Sequence, residues 1–172
     1  MNELIVNSVK ILFLLLYPLP FPGAAWSRIS FFAKYLNEDS FFNVKICGSF
    51  VPRSLGKAGG NAWNGIKVSN CFPTVALAGP ISFTVNYIST FIVSFFIFIQ
   101  MRPTYVFISV SSIGNSMGSY ASARILGLRV ITDYRDEWED FLIDNSKSNL
   151  TRRIYLWQKN FSLLHISLSR LL

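Results

Sequence analysis

Residues 129–140, RVITDYRDEWED, place five carboxylates, two arginines and a tryptophan directly behind a short apolar run. Asp133, Arg135 and Asp136 fall at the end of what reads as a strand, where the pleat sends alternate side chains to opposite sides. An arginine between two aspartates can be held by them, positioning one carboxylate to accept sugar hydroxyls or to act as a general base. Trp138 adds a flat apolar face suited to a sugar ring. Glu139 and Asp140 read as solvated acids at a helix start, where the helix dipole favours them.

Two further stretches offer polar chemistry. In PLPFPGAAWSR, residues 18–28, Gly23 is flanked by the small Ala24 and Ala25, so a substrate could approach the backbone as a helix begins. Free N–H groups at that helix end make an anion site, which Arg28, one turn in, could reinforce; Pro22-Gly23 serves equally well as a plain turn. In SVSSIGNSMGSY, residues 109–120, Ser111, Ser112 and Asn115 could hydrogen-bond a polyol or phosphate, or act as caps and turn residues. The sequence has neither GxGxxG nor GxxxxGK[ST], which removes most support for a dinucleotide dehydrogenase or a P-loop NTPase.

These groups need elements to hold them, and the hydrophobic pattern supplies an alternation. Residues 10–17 read as a strand, followed by a helix to about Leu36 and a second strand over 43–50. Residues 51–80, rich in Gly, Pro and Asn, read as one long irregular loop. A long apolar helix over 80–101 follows, opened by Gly79-Pro80 and closed by Arg102-Pro103. A third strand over 104–112, a helix ended by Gly127, a fourth strand over 128–134 and a last helix over 148–166 complete the chain. Strand–helix–strand units of this kind require a parallel sheet with right-handed crossovers. The expected fold class is therefore α/β, a Rossmann-like parallel sheet with helices on both faces. In such sheets ligands sit beyond the carboxyl ends of the strands, so the three polar stretches should converge on one crevice.

Composition bounds the partners. Of 172 residues, 51% are hydrophobic and 15% charged, and the net charge is +7. Residues 1–130 carry ten Lys or Arg against three Asp or Glu, so the acids at 133–140 stand out in a basic chain. The cations are scattered singly, without a basic arm or zinc-finger spacing, so nucleic acid is not an expected partner. A membrane surface or a phosphate-bearing substrate fits better. Cys47 and Cys71 read as two reduced, partly buried thiols, and the single histidine, His165, has no second ligand nearby, so no metal site is expected. The N-terminal run Ile11–Leu16 is short for a signal peptide and ends in Pro and Gly, as a buried parallel strand does. Residues 81–101 contain no charge and are long enough to cross a bilayer. Their Ser, Thr and Asn content fits a buried or membrane-surface helix better than a span.

The PLPFPGAAWSR loop, the MRPTYVFISV strand behind a long apolar helix, and ITDYRDEWEDF at the fourth strand resemble the N-terminal domain of family 4 glycosyltransferases. The match runs through nearly the whole chain in the same order, with D-x-R-D-x-W its most specific part. The resemblance implies one half of a GT-B fold, in which two Rossmann-like domains face each other across a cleft. It implies that residues 1–172 are the acceptor-side domain, incomplete at its C-terminus, with the donor-binding domain outside this chain. The activity implied is transfer of a sugar from a nucleotide-sugar donor to a glycan or lipid-linked acceptor, usually without a metal. Gly23 matches the family's glycine loop, here Gly23-Ala24 where a double glycine is common. Asp133, Arg135, Asp136 and Trp138 match the fourth-strand motif near the cleft. The only histidine being His165, Asp133 and Asp136 are the expected catalytic bases. Gly23, Ala24, Arg28, Ser112, Asn115, Arg135 and Trp138 are expected to bind acceptor or donor phosphate. The expected location is the cytoplasm, peripheral on the inner face of the cell membrane. Two other readings remain open: a non-catalytic binding module, and a small membrane protein spanning at 81–101.

Overall fold

The computed structural model describes residues 8–18, 24–50, 62–63, 66–75, 80–110 and 113–134, together with Asp144, Asn149, Arg152, Arg153 and Leu156. Within residues 8–134 the described elements follow in the order β1 (Val9–Pro18), α1 (Ala24–Glu38), β2 (Phe42–Phe50), β3 (Ala62–Trp63), β4 (Ile66–Pro73), α2 (Pro80–Met101), β5 (Tyr105–Val110), α3 (Ile113–Ile125) and β6 (Arg129–Tyr134). The sheet order is β3-β4-β2-β1-β5-β6. Among the described strands only β3 runs antiparallel, against β4; the other five are parallel to one another.

The apolar run of β1 has a direct cause. It is the central strand, between β2 and β5, so both of its faces are covered and Leu12 through Leu16 are all buried. Phe13, Leu15, Ile46 and Val68 point to the α1 face, where Ile29 and Ala33, one turn apart, pack on them. Leu12, Leu14, Leu16, Val106 and Ile108 point to the other face, beneath α2 and α3. This is the expected two-faced α/β layer.

One expectation is corrected. Residues 51–80 are not a single irregular loop: β3 and β4 lie inside that stretch, and β4 pairs in parallel with β2. The sequence IKVSNCFP alternates weakly, is punctuated by Ser and Asn and ends in Pro, so its local signal is that of a loop. The neighbouring strand decides the matter, because pairing with β2 buries Ile66, Val68 and Phe72 almost completely. The last helix expected over 148–166 lies mostly outside the described residues. Asn149, Arg152, Arg153 and Leu156 are helical and exposed.

α2 is held to the domain by polar groups. Asn86, 6% exposed, accepts from the Val75 N–H at 2.8 Å and donates to the Val75 carbonyl at 3.1 Å, gripping the chain just after β4. Ser82 donates to the same carbonyl at 3.0 Å, and the Ser94 and Ser119 hydroxyls meet at 2.7 Å between α2 and α3. Asn86→Ala should therefore cost about 1–3 kcal/mol in urea unfolding, because the Val75 amide loses its acceptor. A cost below about 0.5 kcal/mol would mean that water replaces the clamp.

Both ends of α2 return to the same sheet, through β4 and β5. A helix crossing a bilayer would put those two strands on opposite sides of it. The fold therefore lays α2 along the sheet, and the reading of 81–101 as a span does not fit this structure.

Candidate functional site

Strand order reverses at β1: its successors β2 and β4 lie on one side, and β5 and β6 on the other. The crevice outside the carboxyl ends of β1 and β5 is thus the switch point at which open parallel sheets bind ligands. α1 starts just after β1 and α3 just after β5, so both helix N-termini open at this edge. Asp133 is the penultimate residue of β6 and is in register with Ser109, which is in register with Leu15 of β1. All three side chains project to the α1 face, since paired residues of neighbouring strands share a face.

The strongest polar feature here is an ion pair between elements distant in sequence. Arg28 Nη2 of α1 lies 3.0 Å from Asp133 Oδ1 of β6. The aspartate side chain is 8% exposed and the arginine side chain 54%. α1 leans this way because Phe32, one turn after Arg28, packs its ring 6.2 Å from that of Phe107 on β5. The arrangement fixes a nearly buried carboxylate and leaves much of a planar, five-donor cation open to solvent. Such a group can donate to a phosphate or to sugar hydroxyls while the carboxylate orients it.

The other expected residues are placed as follows. Asn115, expected at a ligand surface, is fully buried in the first turn of α3; its Nδ2 donates to Thr74 Oγ1 at 3.3 Å, and its Oδ1 meets no donor among the described residues. It ties α3 to the end of β4 and offers no atom to solvent. Ala24 is the first residue of α1. Gly23, Ser112, Arg135, Asp136 and Trp138 lie outside the described residues. So the structure brings Arg28 and Asp133 together and sets Asn115 apart on the opposite helix layer. The Arg28–Asp133 pairing had no local sequence signal. Asp133 had a nearer candidate in Arg135, and only the crossover geometry delivers Arg28.

The two cysteines are free and adjacent, with Cys47 buried, Cys71 half-buried and their sulfurs 3.7 Å apart on β2 and β4. The hydrogen bond between them and burial push the Cys47 thiol well above its usual range, and the same hydrogen bond draws Cys71 below it.

No protein-family model matches this sequence, and no curated protein matches it. Solved structures do. A UDP-N-acetylglucosamine 2-epimerase superposes with a TM-score of 0.53 at 9% identity, covering 87% of this chain and 39% of its own. The UDP-GlcNAc 2-epimerase from Neisseria meningitidis, bound to UDP-GlcNAc, gives 0.55 at 11% identity, covering 87% and 38%. A UGT transferase from Siraitia grosvenorii in complex with UDP gives 0.51 at 14% identity, covering 81% and 32%. The likeness establishes the fold: an α/β, Rossmann-like parallel sheet of the kind that forms one half of GT-B proteins. The chain spans well under half the length of each of these structures.

Proposed function

We propose that this chain is the acceptor-side half of a GT-B glycosyltransferase, resembling family 4, which moves a sugar from a nucleotide-sugar donor to a glycan or lipid-linked acceptor. The observation that supports this most is the Arg28–Asp133 pair at the carboxyl edge of the sheet, beside the β1/β5 switch point. In this reading Asp133, together with Asp136, orients or deprotonates the acceptor hydroxyl, and the open side of Arg28 takes an acceptor phosphate. Arg135 and Trp138 frame the sugar, while Gly23, Ala24 and Ser112 give the acceptor or donor phosphate room at the helix N-termini. Asn115 supports that edge from within α3. The nucleotide is held by a second domain outside this chain, and no metal is required of the residues named. The proteins of similar fold include an epimerase bound to UDP-GlcNAc and a transferase in complex with UDP, which agrees with a nucleotide-sugar donor.

Calorimetric titration tests this assignment. The chain should bind a soluble, short-chain prenyl-diphosphate sugar, and Arg28→Gln should weaken that binding at least about tenfold, the loss of one charge-assisted contact. UDP alone should bind far more weakly. Tight UDP binding without acceptor binding would make this the donor half and overturn the assignment.

A further inference from the structure

The polarity of α2 is inside out. The residues it turns toward the domain at four-residue intervals are Ser82, Asn86, Thr90 and Ser94, then Phe98, and all five are buried. The residues it turns outward are Ile81, Val85, Ile88, Ile92, Phe96 and Ile99, between 44% and 80% exposed. Spaced by three or four, they form one continuous apolar stripe along the helix. A helix facing water has the opposite arrangement, and no charged side chain interrupts this one from Ile81 to Met101.

On the face that α2 covers, the charges carried by the described strands and helices are cations. Leu12 and Leu14 face α2, so strand alternation puts Lys10 on that same face. Lys45, in register with Leu12, shares the face as well. Both are exposed near the amino edge of the sheet, where α2 and α3 end in the exposed Arg102 and Arg124. Of the acids in or beside these elements, Glu38 ends α1 and Asp39 lies in the turn into β2, at the same edge but on the α1 side of the sheet, and Asp133 lies at the opposite edge. Arg102 is also strained: it caps α2 with φ 47°, its N–H bonded to the Phe98 carbonyl at 2.8 Å. Glycine is the residue that makes this left-handed cap without cost, as Gly127 does for α3 at φ 66°. An arginine held there puts a cation at the mouth of an open apolar notch lined by Phe98, Ile99, Pro103, Leu126 and Leu128.

We infer that the outer face of α2 is a docking surface for an anionic phospholipid leaflet. The helix lies in the plane of the membrane with its isoleucines and Phe96 among the upper acyl carbons, and Lys10, Lys45, Arg102 and Arg124 meet lipid phosphates at one end. An uncharged stripe of this length supplies the apolar term and the four cations the electrostatic term that in-plane binding needs. The polar groups of α2 stay hydrogen-bonded inside the domain throughout. This inference stands independently of the sugar-transfer reading.

Co-sedimentation of the purified chain with vesicles of phosphatidylcholine alone, or mixed with phosphatidylglycerol, tests it. The chain should bind both and prefer the anionic mixture, with high salt removing only the preference. The triple variant Ile88→Gln/Ile92→Gln/Phe96→Gln should lose at least about a hundredfold in binding to both, since each buried apolar side chain is worth roughly tenfold. Its thermal midpoint should hold, because these side chains face solvent in the free domain. Arg102→Gly should cut the anionic preference about fivefold, one cation at a charged surface, while raising Tm by a few degrees as the strained cap is relieved. Failure of the chain to sediment with either lipid would overturn the inference. So would a dimer in sedimentation velocity that the triple variant dissociates while vesicles are ignored, since the stripe would then belong to a second copy.

Discussion

Gly118→Ala should destabilise the domain by about 3 kcal/mol or more, the largest effect expected of an added methyl group at Gly114, Gly118 or Gly127. A Cβ at Gly118 would run into the Tyr87 carbonyl oxygen and Thr90 Oγ1 and lie 2.9 Å from the Phe91 nitrogen. Two of these three are backbone atoms of α2, so no side-chain rotation relieves the clash. α2 would have to move off α3, stretching the 2.7 Å Ser94–Ser119 hydrogen bond and loosening the Asn86 grip on Val75. Overpacking of this kind costs roughly 1–3 kcal/mol, and each weakened buried hydrogen bond adds about 1 kcal/mol. Two controls separate the causes. Gly114→Ala meets the Phe83 carbonyl at 3.0 Å and the Phe83 ring at 3.1 Å, and part of that contact can swing away. Gly127→Ala meets nothing within 4 Å and suffers only from its φ of 66°, about 1 kcal/mol. Urea unfolding should rank the costs Gly118, then Gly114, then Gly127. If Gly118→Ala is no worse than Gly127→Ala, the close α2–α3 approach is wrong.

On the proposed sugar-transfer reading, Asp133→Asn in the intact protein should lower transfer, read as kcat/KM, by about a hundredfold or more, the usual effect of removing a positioned acid–base group. The size follows from the geometry. The carboxylate is 8% exposed and held by Arg28 at 3.0 Å, so it is fixed in place before substrate arrives. An amide of the same shape keeps the packing but loses both the charge and the ability to accept the acceptor proton. The fold should tolerate the change, because the arginine side chain left behind is 54% exposed and water can solvate its charge. The reverse change is asymmetric. Arg28→Gln takes the cation away from a nearly buried carboxylate, so it should cost more stability than Asp133→Asn, about 1–3 kcal/mol against under 1. A stable Asp133→Asn protein with undiminished transfer would remove Asp133 from the catalytic assignment. Equal stability losses for the two variants would mean that burial of the carboxylate does not govern the pair.

Much of the architecture could be read from local pattern because it is locally caused. The continuous apolar run of β1 meant a strand covered on both faces, the Pro80 start and Arg102-Pro103 stop bracketed α2, and Gly127 marked the end of α3. β4 could not be read this way, since nothing in IKVSNCFP says strand until β2 lies beside it. The candidate site divides along the same line. That Asp133 ends a strand was legible from VITDY and the acids behind it. That Arg28, more than a hundred residues earlier, is its partner was not, because long-range pairs depend on how crossovers stack helices over strands. Asn115 illustrates the reverse case. A polar residue in a hydroxyl-rich stretch looked like ligand chemistry, and the fold uses it as an internal tie to Thr74.

The alternation of strands and helices, the parallel sheet it requires and the concentration of acids at one strand end all rest on hydrophobic period and turn chemistry within a few residues, so the chain's local pattern was enough to fix them. The tertiary structure alone decided which way α2 faces. Composition made 81–101 an apolar helix able to lie in a bilayer, across one, or in a core. Only the return of both its ends to one sheet, and the hydrogen bonds that draw its serines and asparagine inward, lay it along the domain with its isoleucines to the outside. Facing depends on partners distant in sequence, and no local period can specify it.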